Sequence, residues 1–277
     1  NQGDASSPVP AREMATRRSE MKIATWNING LRARLDFVLA WLAERQPDVV
    51  GLQELKLEDE KFPHSAFEEI GYHAASHGQK AWNGVAILSK EKSEVLARGL
   101  PNQEDFGSRL ITAKVAGLNF TTVYCPNGKN LEHEDYKRKI AWFDDLAAQL
   151  AQEHDSASDT IVCGDFNICP SALDSWQGGA SEGEIFHTLA ERSRLQTLLD
   201  WGLHDLFRHK YPEDQSFSWW DYRGGSFHRG HGLRIDFVLA SASVRDRLVD
   251  VEIDREWRKK KDGLTASDHA PVVATLS

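Results

Sequence analysis

The feature that most constrains the fold is DVVGLQE at positions 48–54, a run of apolar and β-branched residues. Such a run is typical of a strand covered on both faces. A helical pattern precedes it at LRARLDFVLAWLAERQ (31–46) and ends at Gln46-Pro47. A strand covered on both faces needs packed layers on either side, so these two segments already predict a layered arrangement of strands and helices.

Short apolar segments and helical patterns alternate along the rest of the chain. Further strands are predicted at 22–27, 71–77, 83–90, 93–99, 109–117, 118–126, 159–167, 217–222, 234–241, 248–254 and 270–276. Helices are predicted at 131–152 and from a capping box of Ser181 and Glu184 through Leu199, closed by Gly202. This mixture predicts an α+β fold of two packed mixed β-sheets flanked by helices.

Composition limits the domain organisation and the compartment. No repeat, low-complexity block or linker divides residues 21–277, so we expect a single domain there. Residues 1–20 are polar and aperiodic, and we interpret them as a disordered tail or a non-native remnant. The three cysteines lack the count and spacing of a disulfide framework, which favours a reducing compartment such as the cytoplasm. Neither a membrane helix nor a secretory signal is expected, because no apolar run is long enough.

Polar side chains stand where several predicted strands end. They are Asn27, Glu54, Tyr124, Asp165 with Asn167, and the Ser267-Asp268-His269 segment before the final strand. Each alone is most simply read as a turn residue. If the strand ends share one edge, carboxylates, amides and a histidine converge there, and hard cations such as Mg²⁺ prefer oxygen ligands. The net charge of −9 argues mildly against non-specific coating of DNA but says little about a metal-bridged site.

Longer motifs carry a family resemblance. They are TWNINGLRAR (25–34), PDVVGLQELK (47–56), HGQK (77–80), YCPNGK (124–129), GDFNICP (164–170), FSWWDYR (217–223), GLRID (232–236) and SDHAPV (267–272). From Lys22 to its end the chain resembles the exonuclease III type of apurinic/apyrimidinic endonuclease, within the endonuclease/exonuclease/phosphatase superfamily. The resemblance implies a four-layered α/β sandwich.

The resemblance also implies residue roles. Glu54 would hold Mg²⁺, for which Mn²⁺ would substitute, supported by Asn27 and Asp268. Asp165 would activate or position the attacking water, and His269, oriented by Asp236, would contact the scissile phosphate. Asn167 would donate to the phosphate and Tyr124 would stabilise developing charge. The implied metal set is Asn27, Glu54, Asp165, Asn167, Asp268 and His269. The number of metal ions, and whether Asp165 or His269 accepts the proton, stay open.

DNA contacts follow from the same resemblance. Phosphate contacts are expected from Lys80, Arg109, Asn127, Lys129 and Arg234. Trp219, with Leu233 opposite, would line a pocket for a flipped-out abasic sugar, while Trp220 would belong to the core. The basic run 258–261 is either a DNA flank or a solvated loop. Residues 175–187 depart from the family pattern beside the expected DNA path, which leaves the balance among activities open.

The predicted function is Mg²⁺-dependent DNA repair. The chain would cleave 5′ to abasic sites in double-stranded DNA, leave a 3′-hydroxyl, and process blocked 3′ ends as a 3′–5′ exonuclease and 3′-phosphatase or phosphodiesterase. We expect a monomer in the cytoplasm, associated with the nucleoid in a bacterium. One alternative keeps the chemistry but acts on inositol phosphates or sphingomyelin. The other is a catalytically silent DNA-binding module.

Overall fold

A computed structural model describes residues 19–277, so the first 18 residues of the predicted tail lie outside the described part. The strands are β1 Met21–Asn27, β2 Val49–Gln53, β3 His73–His77, β4 Val85–Ser89, β5 Glu94–Arg98, β6 Leu110–Val115, β7 Leu118–Tyr124, β8 Thr160–Asp165, β9 Leu203–Asp205, β10 Trp219–Trp220, β11 Gly232–Leu233, β12 Asp236–Ser241, β13 Leu248–Ile253 and β14 Val272–Leu276. The helices are α1 Leu31–Arg45, α2 His64–Glu68, α3 Glu134–Glu153, α4 Leu189–Trp201, α5 Leu206–Lys210, α6 Ser226–Arg229 and α7 Ala242–Arg245.

Two six-stranded mixed sheets form the centre of the molecule. Their strand orders are β13-β14-β1-β2-β4-β3 and β5-β6-β7-β8-β12-β9, and a separate two-stranded sheet pairs β10 with β11. Within these sheets β1 pairs with β2 in parallel, and so does β7 with β8. The prediction of two mixed sheets flanked by helices is confirmed.

The apolar side chains divide into layers. One cluster fills the space between the two sheets, with Ile23 and Val49 from the first sheet and Phe120 and Ile161 from the second. A second cluster packs α1 and α2 on the outer face of the first sheet, and a third packs α3 and α4 on the outer face of the second. This gives the helix–sheet–sheet–helix order of a four-layered sandwich. In the described part of the chain, no helix is long and apolar enough to span a bilayer.

Two sequence predictions about local structure were wrong. The capping box of α4 is formed by Thr188 and Glu191, not by Ser181 and Glu184. Ser181 instead ends a short 3₁₀ turn, after which the chain forms a loop before α4 begins. The predicted strand 217–222 shrinks to Trp219–Trp220, because only these two residues pair with β11.

Candidate active site and metal centre

The polar ends of the central strands meet at one edge of the sandwich. The parallel pairs bring Asn27 beside Gln53 in one sheet and Tyr124 beside Asp165 in the other. Asp236, at the start of antiparallel β12, lies next to Asp165. Each strand therefore delivers its terminal polar residue to the same place, which is why a pattern of strand-end residues in the sequence becomes a cluster.

A single buried amide joins the carboxylates of the two sheets. Asn27 Nδ2 donates to Glu54 Oε1 and to Asp165 Oδ2, each at 2.9 Å. Asn27 Oδ1 accepts from the backbone N–H of Asn29 at 3.0 Å, so the amide plane is fixed. Glu54 has a φ of 54°, a left-handed conformation uncommon outside glycine and frequent at functional sites.

A buried Asp–His pair faces the same carboxylate. His269 Nδ1 lies 2.8 Å from Asp236 Oδ2, and His269 Nε2 lies 3.6 Å from Asp165 Oδ2. Ser218 Oγ donates to Asp236 Oδ2 at 2.7 Å and holds that carboxylate in turn. An imidazole whose Nδ1 is bound to a carboxylate is fixed in orientation, so its Nε2 is the atom presented to the site.

The titration of the pair reflects burial and close charges. Burial raises the pKa of Asp165 to about 7, although the neighbouring His269 opposes this shift. Burial alone would lower the pKa of His269, but the carboxylates of Asp236 and Asp165 more than offset it and raise the value to about 10. The site therefore holds a carboxylate able to exchange a proton near neutrality beside an imidazole that stays cationic.

Asn167 and Tyr124 add further polar groups beside Asp165, and these two residues are called the polar wall below. Asn167 donates from its backbone N–H to Asp165 Oδ1 at 3.0 Å and from Nδ2 to the carbonyl of Cys125 at 2.9 Å. Burial, followed by the charges of Glu54 and Asp165, raises the pKa of Tyr124 well above its usual value. Its hydroxyl therefore stays protonated and can donate a hydrogen bond to an anionic ligand.

The donor chemistry fits a hard divalent cation. One ligand atom from each of Glu54, Asp165 and His269 lies within 4.8 Å of the other two. The two carboxylates face each other across only the Asn27 amide, and the charge of Glu54 is one cause of the raised pKa of Asp165. Carboxylate oxygens are ligands that such ions prefer, and a bound cation would offset this repulsion. The Asn27 amide presents Nδ2 to both carboxylates, so it would position them for the ion.

Asp268 lies at the edge of this cluster. Among the described acidic, histidine and cysteine side chains, it does not belong to the close group of three. Its carboxylate instead accepts from Trp219 Nε1 at 3.1 Å and from Ser267 Oγ at 3.4 Å. This contact ties the position of Trp219 to that of the segment carrying His269.

The two adjacent tryptophans occupy different environments, as the sequence predicted. Trp220 is buried, with the edge of Phe227 against it, whereas Trp219 is only half-buried. Trp219 pairs with Leu233 across β10 and β11 and forms a bridge with His269 on its other side. An apolar wall therefore stands directly beside the catalytic histidine candidate.

Four of the predicted phosphate contacts lie at or near the surface. Lys80, Asn127 and Lys129 are exposed, while the guanidinium of Arg109 is half-buried over the ring of Tyr124 at 5.2 Å. Arg109 and Lys129 line a cleft of about 350 Å³ that also contains Trp82, which is 70% exposed. The sequence reasoning missed Trp82, although an aromatic residue in the polar turn KAWNG was a usable signal.

The prediction that Arg234 contacts DNA phosphate is wrong. Its side chain is 1% exposed and donates to Asp174 Oδ1 at 2.7 Å and to Asp205 Oδ2 at 2.8 Å. The guanidinium also lies over the rings of Phe207 and Phe237. Arg234 therefore forms structural ion pairs with these two carboxylates, and its buried guanidinium is not accessible to a phosphate.

Two supporting residues were also missed. Ser218 donates to Asp236, but the sequence FSWW gave no reason to select this serine as a functional residue. Lys139 is fully buried under the Asn167 loop and donates to the Asn167 carbonyl at 2.7 Å. A lysine on the inward face of the α3 pattern was a signal, since buried lysines almost always have charged or polar partners.

Comparison with known proteins finds a matching family and several similar proteins. Residues 24–269 match the model of the Endonuclease/Exonuclease/phosphatase family. The chain is 40% identical over 267 residues to Exodeoxyribonuclease III of Haemophilus influenzae, covering 92% of this chain and 99% of that protein. A solved AP endonuclease from Archaeoglobus fulgidus is 35% identical with a TM-score of 0.89, covering 93% and 99% of the two chains. A 3′ phosphatase from Neisseria, NExo, solved with a product DNA hairpin, is 39% identical with a TM-score of 0.87 and the same coverage.

Proposed function

The chain belongs to the endonuclease/exonuclease/phosphatase family, and from that membership we propose that it hydrolyses phosphodiester bonds in damaged DNA with Mg²⁺ bound at the Glu54 edge. Its homologues are exodeoxyribonuclease III, AP endonuclease and 3′ phosphatase enzymes, which is consistent with a nuclease of base-excision repair. The observation that carries the proposal is the convergence of Glu54, Asp165 and His269 at one sheet edge.

The residues divide into two sides around a phosphate. Glu54, with support from Asn27 and Asp268, would hold the divalent ion, for which Mn²⁺ would substitute. When bound, such an ion supplies positive charge that stabilises the developing negative charge on phosphate oxygens. Asp165, with its raised pKa, orients the attacking water and is suited to accept its proton near neutrality.

His269 and the polar wall act on the phosphate itself. The cationic imidazole, fixed by Asp236, presents Nε2 as a charged donor to a non-bridging oxygen. The hydroxyl of Tyr124 at the end of β7 and the amide of Asn167 just after β8 supply neutral donors. Donors fixed by the fold before the reaction need no reorganisation as charge develops, which is the main source of rate in such sites.

Two substrates are supported by different observations. Cleavage 5′ to an abasic site, leaving a 3′-hydroxyl, is supported by Trp219 and Leu233, an apolar wall beside His269 that suits a sugar without a base. Removal of 3′-terminal phosphates or nucleotides is supported by NExo from Neisseria, which is described as a 3′ phosphatase in one solved structure and as a 3′–5′ exonuclease in another. We propose that one centre performs both reactions.

The remaining assignments complete the proposal. Residues 21–277 would form a single catalytic domain that acts as a monomer on double-stranded DNA. Lys80, Arg109, Asn127 and Lys129 would contact its phosphates, and these contacts position the duplex without reading its sequence. We propose the cytoplasm as the site of action, in association with the nucleoid in a bacterium.

The test uses the purified protein with a panel of substrates. A duplex with one internal tetrahydrofuran, a duplex with a 3′-terminal phosphate and an inositol polyphosphate are each incubated with Mg²⁺ or with EDTA. We expect a Mg²⁺-dependent nick 5′ to the tetrahydrofuran and release of phosphate from the 3′ end. Hydrolysis of the inositol phosphate alone would overturn the assignment to DNA, and binding of DNA without hydrolysis would favour the silent module.

A further inference from the structure

The ammonium of Lys139 lies beneath two loops of the proposed active site and is fully buried. Its three N–H donors have three acceptors: the Asn167 carbonyl at 2.7 Å, the Asn127 carbonyl at 3.3 Å and the carboxylate of Glu191. A lysine ammonium has three donors and no acceptor, so this arrangement satisfies it completely. The planar guanidinium of an arginine, or the amide of a shorter side chain, would not direct N–H donors at the same three acceptors.

Both peptide carbonyls belong to loops that carry proposed phosphate contacts. Asn167 has a φ of 48°, a left-handed conformation that is uncommon for residues other than glycine. The two loops are already joined near this point, because Cys125 donates its N–H to the carbonyl of Asp165 at 2.8 Å and accepts from Asn167 Nδ2 at 2.9 Å. From α3, Lys139 adds a further, charged connection between the same two loops.

Glu191 extends this connection to a third segment. One carboxylate oxygen, Oε2, pairs with Lys139 and also accepts from the N–H of Phe186 at 3.1 Å. The other, Oε1, accepts from the backbone and hydroxyl of Thr188 at 3.2 Å and 2.8 Å. The pair therefore links α3, the start of α4 and both active-site loops in a place that water does not reach.

We propose that Lys139 is a positioning residue for the cleavage reaction, holding the Asn127 and Asn167 carbonyls so that both asparagine side chains meet the substrate phosphate. This inference rests on the proposed function. A buried ion pair of this kind contributes little net stability compared with apolar side chains of similar size. What an apolar replacement cannot supply is a donor to two carbonyls, and a displacement of about 1 Å at a reacting group can cost about 100-fold in rate.

The test separates positioning from stability. In the double variant Lys139→Met with Glu191→Met both charges are removed together, so no buried charge is left unpaired. The N–H groups of Phe186 and Thr188 lose an acceptor, so we expect a lower melting temperature in a protein that stays folded at the assay temperature. We expect kcat on the tetrahydrofuran duplex to fall roughly 10- to 100-fold, with KM changed less than about threefold. Removal of a 3′-phosphate should fall by a similar factor, because both reactions use the same loops.

Arg194→Met is the matched control, because Arg194 forms an exposed ion pair with Asp144 that also joins α4 to α3. This variant should keep the wild-type kcat. If the double variant does not fold, Lys139→Arg replaces it, since it keeps the charge opposite Glu191 but not the three donor directions. If the wild type cleaves the duplex and a folded Lys139 variant has a kcat within twofold of that of Arg194→Met, the inference about Lys139 is wrong and the proposed function stands. Absence of wild-type cleavage would instead overturn the proposed function.

Discussion

At the scale of single residues, the site depends on groups held in place by their neighbours. Asn27 fixes two carboxylates with one amide, Asp236 fixes His269, and Asp268 accepts from the indole of Trp219. The sequence predicted which residue types would converge, because strand-end positions can be read from the pattern of apolar runs. It did not predict that Asp268 contacts Trp219, since that contact depends on how a two-residue strand meets the final segment of the chain.

Replacing Trp219 should separate the two proposed activities. In Trp219→Ala we expect cleavage at an internal tetrahydrofuran to fall roughly 30-fold, equivalent to about 2 kcal/mol of lost apolar contact. Removal of a 3′-phosphate should fall less, because that reaction does not need a sugar pocket and loses only the contact between Trp219 and Asp268. Steady-state kinetics on both substrates provides the comparison. Trp219→Phe keeps an aromatic wall and should retain most of the first activity, whereas equal losses on both substrates would contradict a dedicated pocket.

The pH dependence should be bell-shaped. Asp165 must lose its proton to accept one from water, so kcat/KM should rise with pH up to about 7. His269 must keep its proton to donate to the phosphate, so kcat/KM should fall as pH rises through about 10. A bound divalent cation would shift the acid limb to lower pH, because positive charge favours the carboxylate. Kinetic profiles of Asp165→Asn and His269→Gln assign the limbs, and an acid limb unchanged in Asp165→Asn would exclude Asp165 as the proton acceptor.

At the scale of elements, the long strands and helices were predictable and the short ones were not. Patterns of apolar residues that fit only one type of element predicted three elements: the helix α1 with its end at Gln46, and the strands β2 and β8. The start of α4 was placed at Ser181 because two sequence positions offer the same cap spacing. Only tertiary contacts decide between them, since Thr188 and Glu191 are buried against α3 and Lys139.

The cap of α4 gives a prediction for stability. Thr188 Oγ1 accepts from the N–H of Glu191 at 3.1 Å, so Thr188→Ala should lower the free energy of unfolding by about 1 to 2 kcal/mol. Thr197→Ala makes the same chemical change at an exposed position in the same helix and should leave stability unchanged or slightly higher. Urea unfolding measures both variants. Equal destabilisation by the two changes would show that the cap contributes nothing.

At the scale of the whole molecule, a chain with a net charge of −9 is proposed to bind a polyanion. Part of its positive charge is used internally: Arg234 is paired with Asp174 and Asp205, and Lys139 with Glu191. The sequence cannot show which basic residues are consumed in this way, because a buried and an exposed arginine look alike in a motif. The structure removes Arg234 from the candidate DNA surface and leaves Lys80, Arg109 and Lys129 on it.

Salt dependence tests this division of charge. Binding of a tetrahydrofuran duplex is measured by fluorescence anisotropy with Asp165→Asn protein. The logarithm of the association constant should fall linearly with the logarithm of the salt concentration. Lys80→Ala should reduce the slope by about one if Lys80 neutralises one phosphate. Lys114→Ala removes another exposed lysine, from β6, and should leave the slope unchanged. Identical slopes for all three proteins would contradict the contact assigned to Lys80.

The central claim is that one centre at the sheet edge, dependent on Asp165 and a divalent ion, cleaves damaged DNA. Its most direct test is single-turnover cleavage of the tetrahydrofuran duplex by wild-type and Asp165→Asn protein, with equal melting temperatures confirmed first. We predict a Mg²⁺-dependent nick for the wild type, abolished by EDTA, and a rate at least about 100-fold lower for Asp165→Asn. Cleavage by Asp165→Asn at the wild-type rate, or wild-type cleavage that persists in EDTA, would contradict this account.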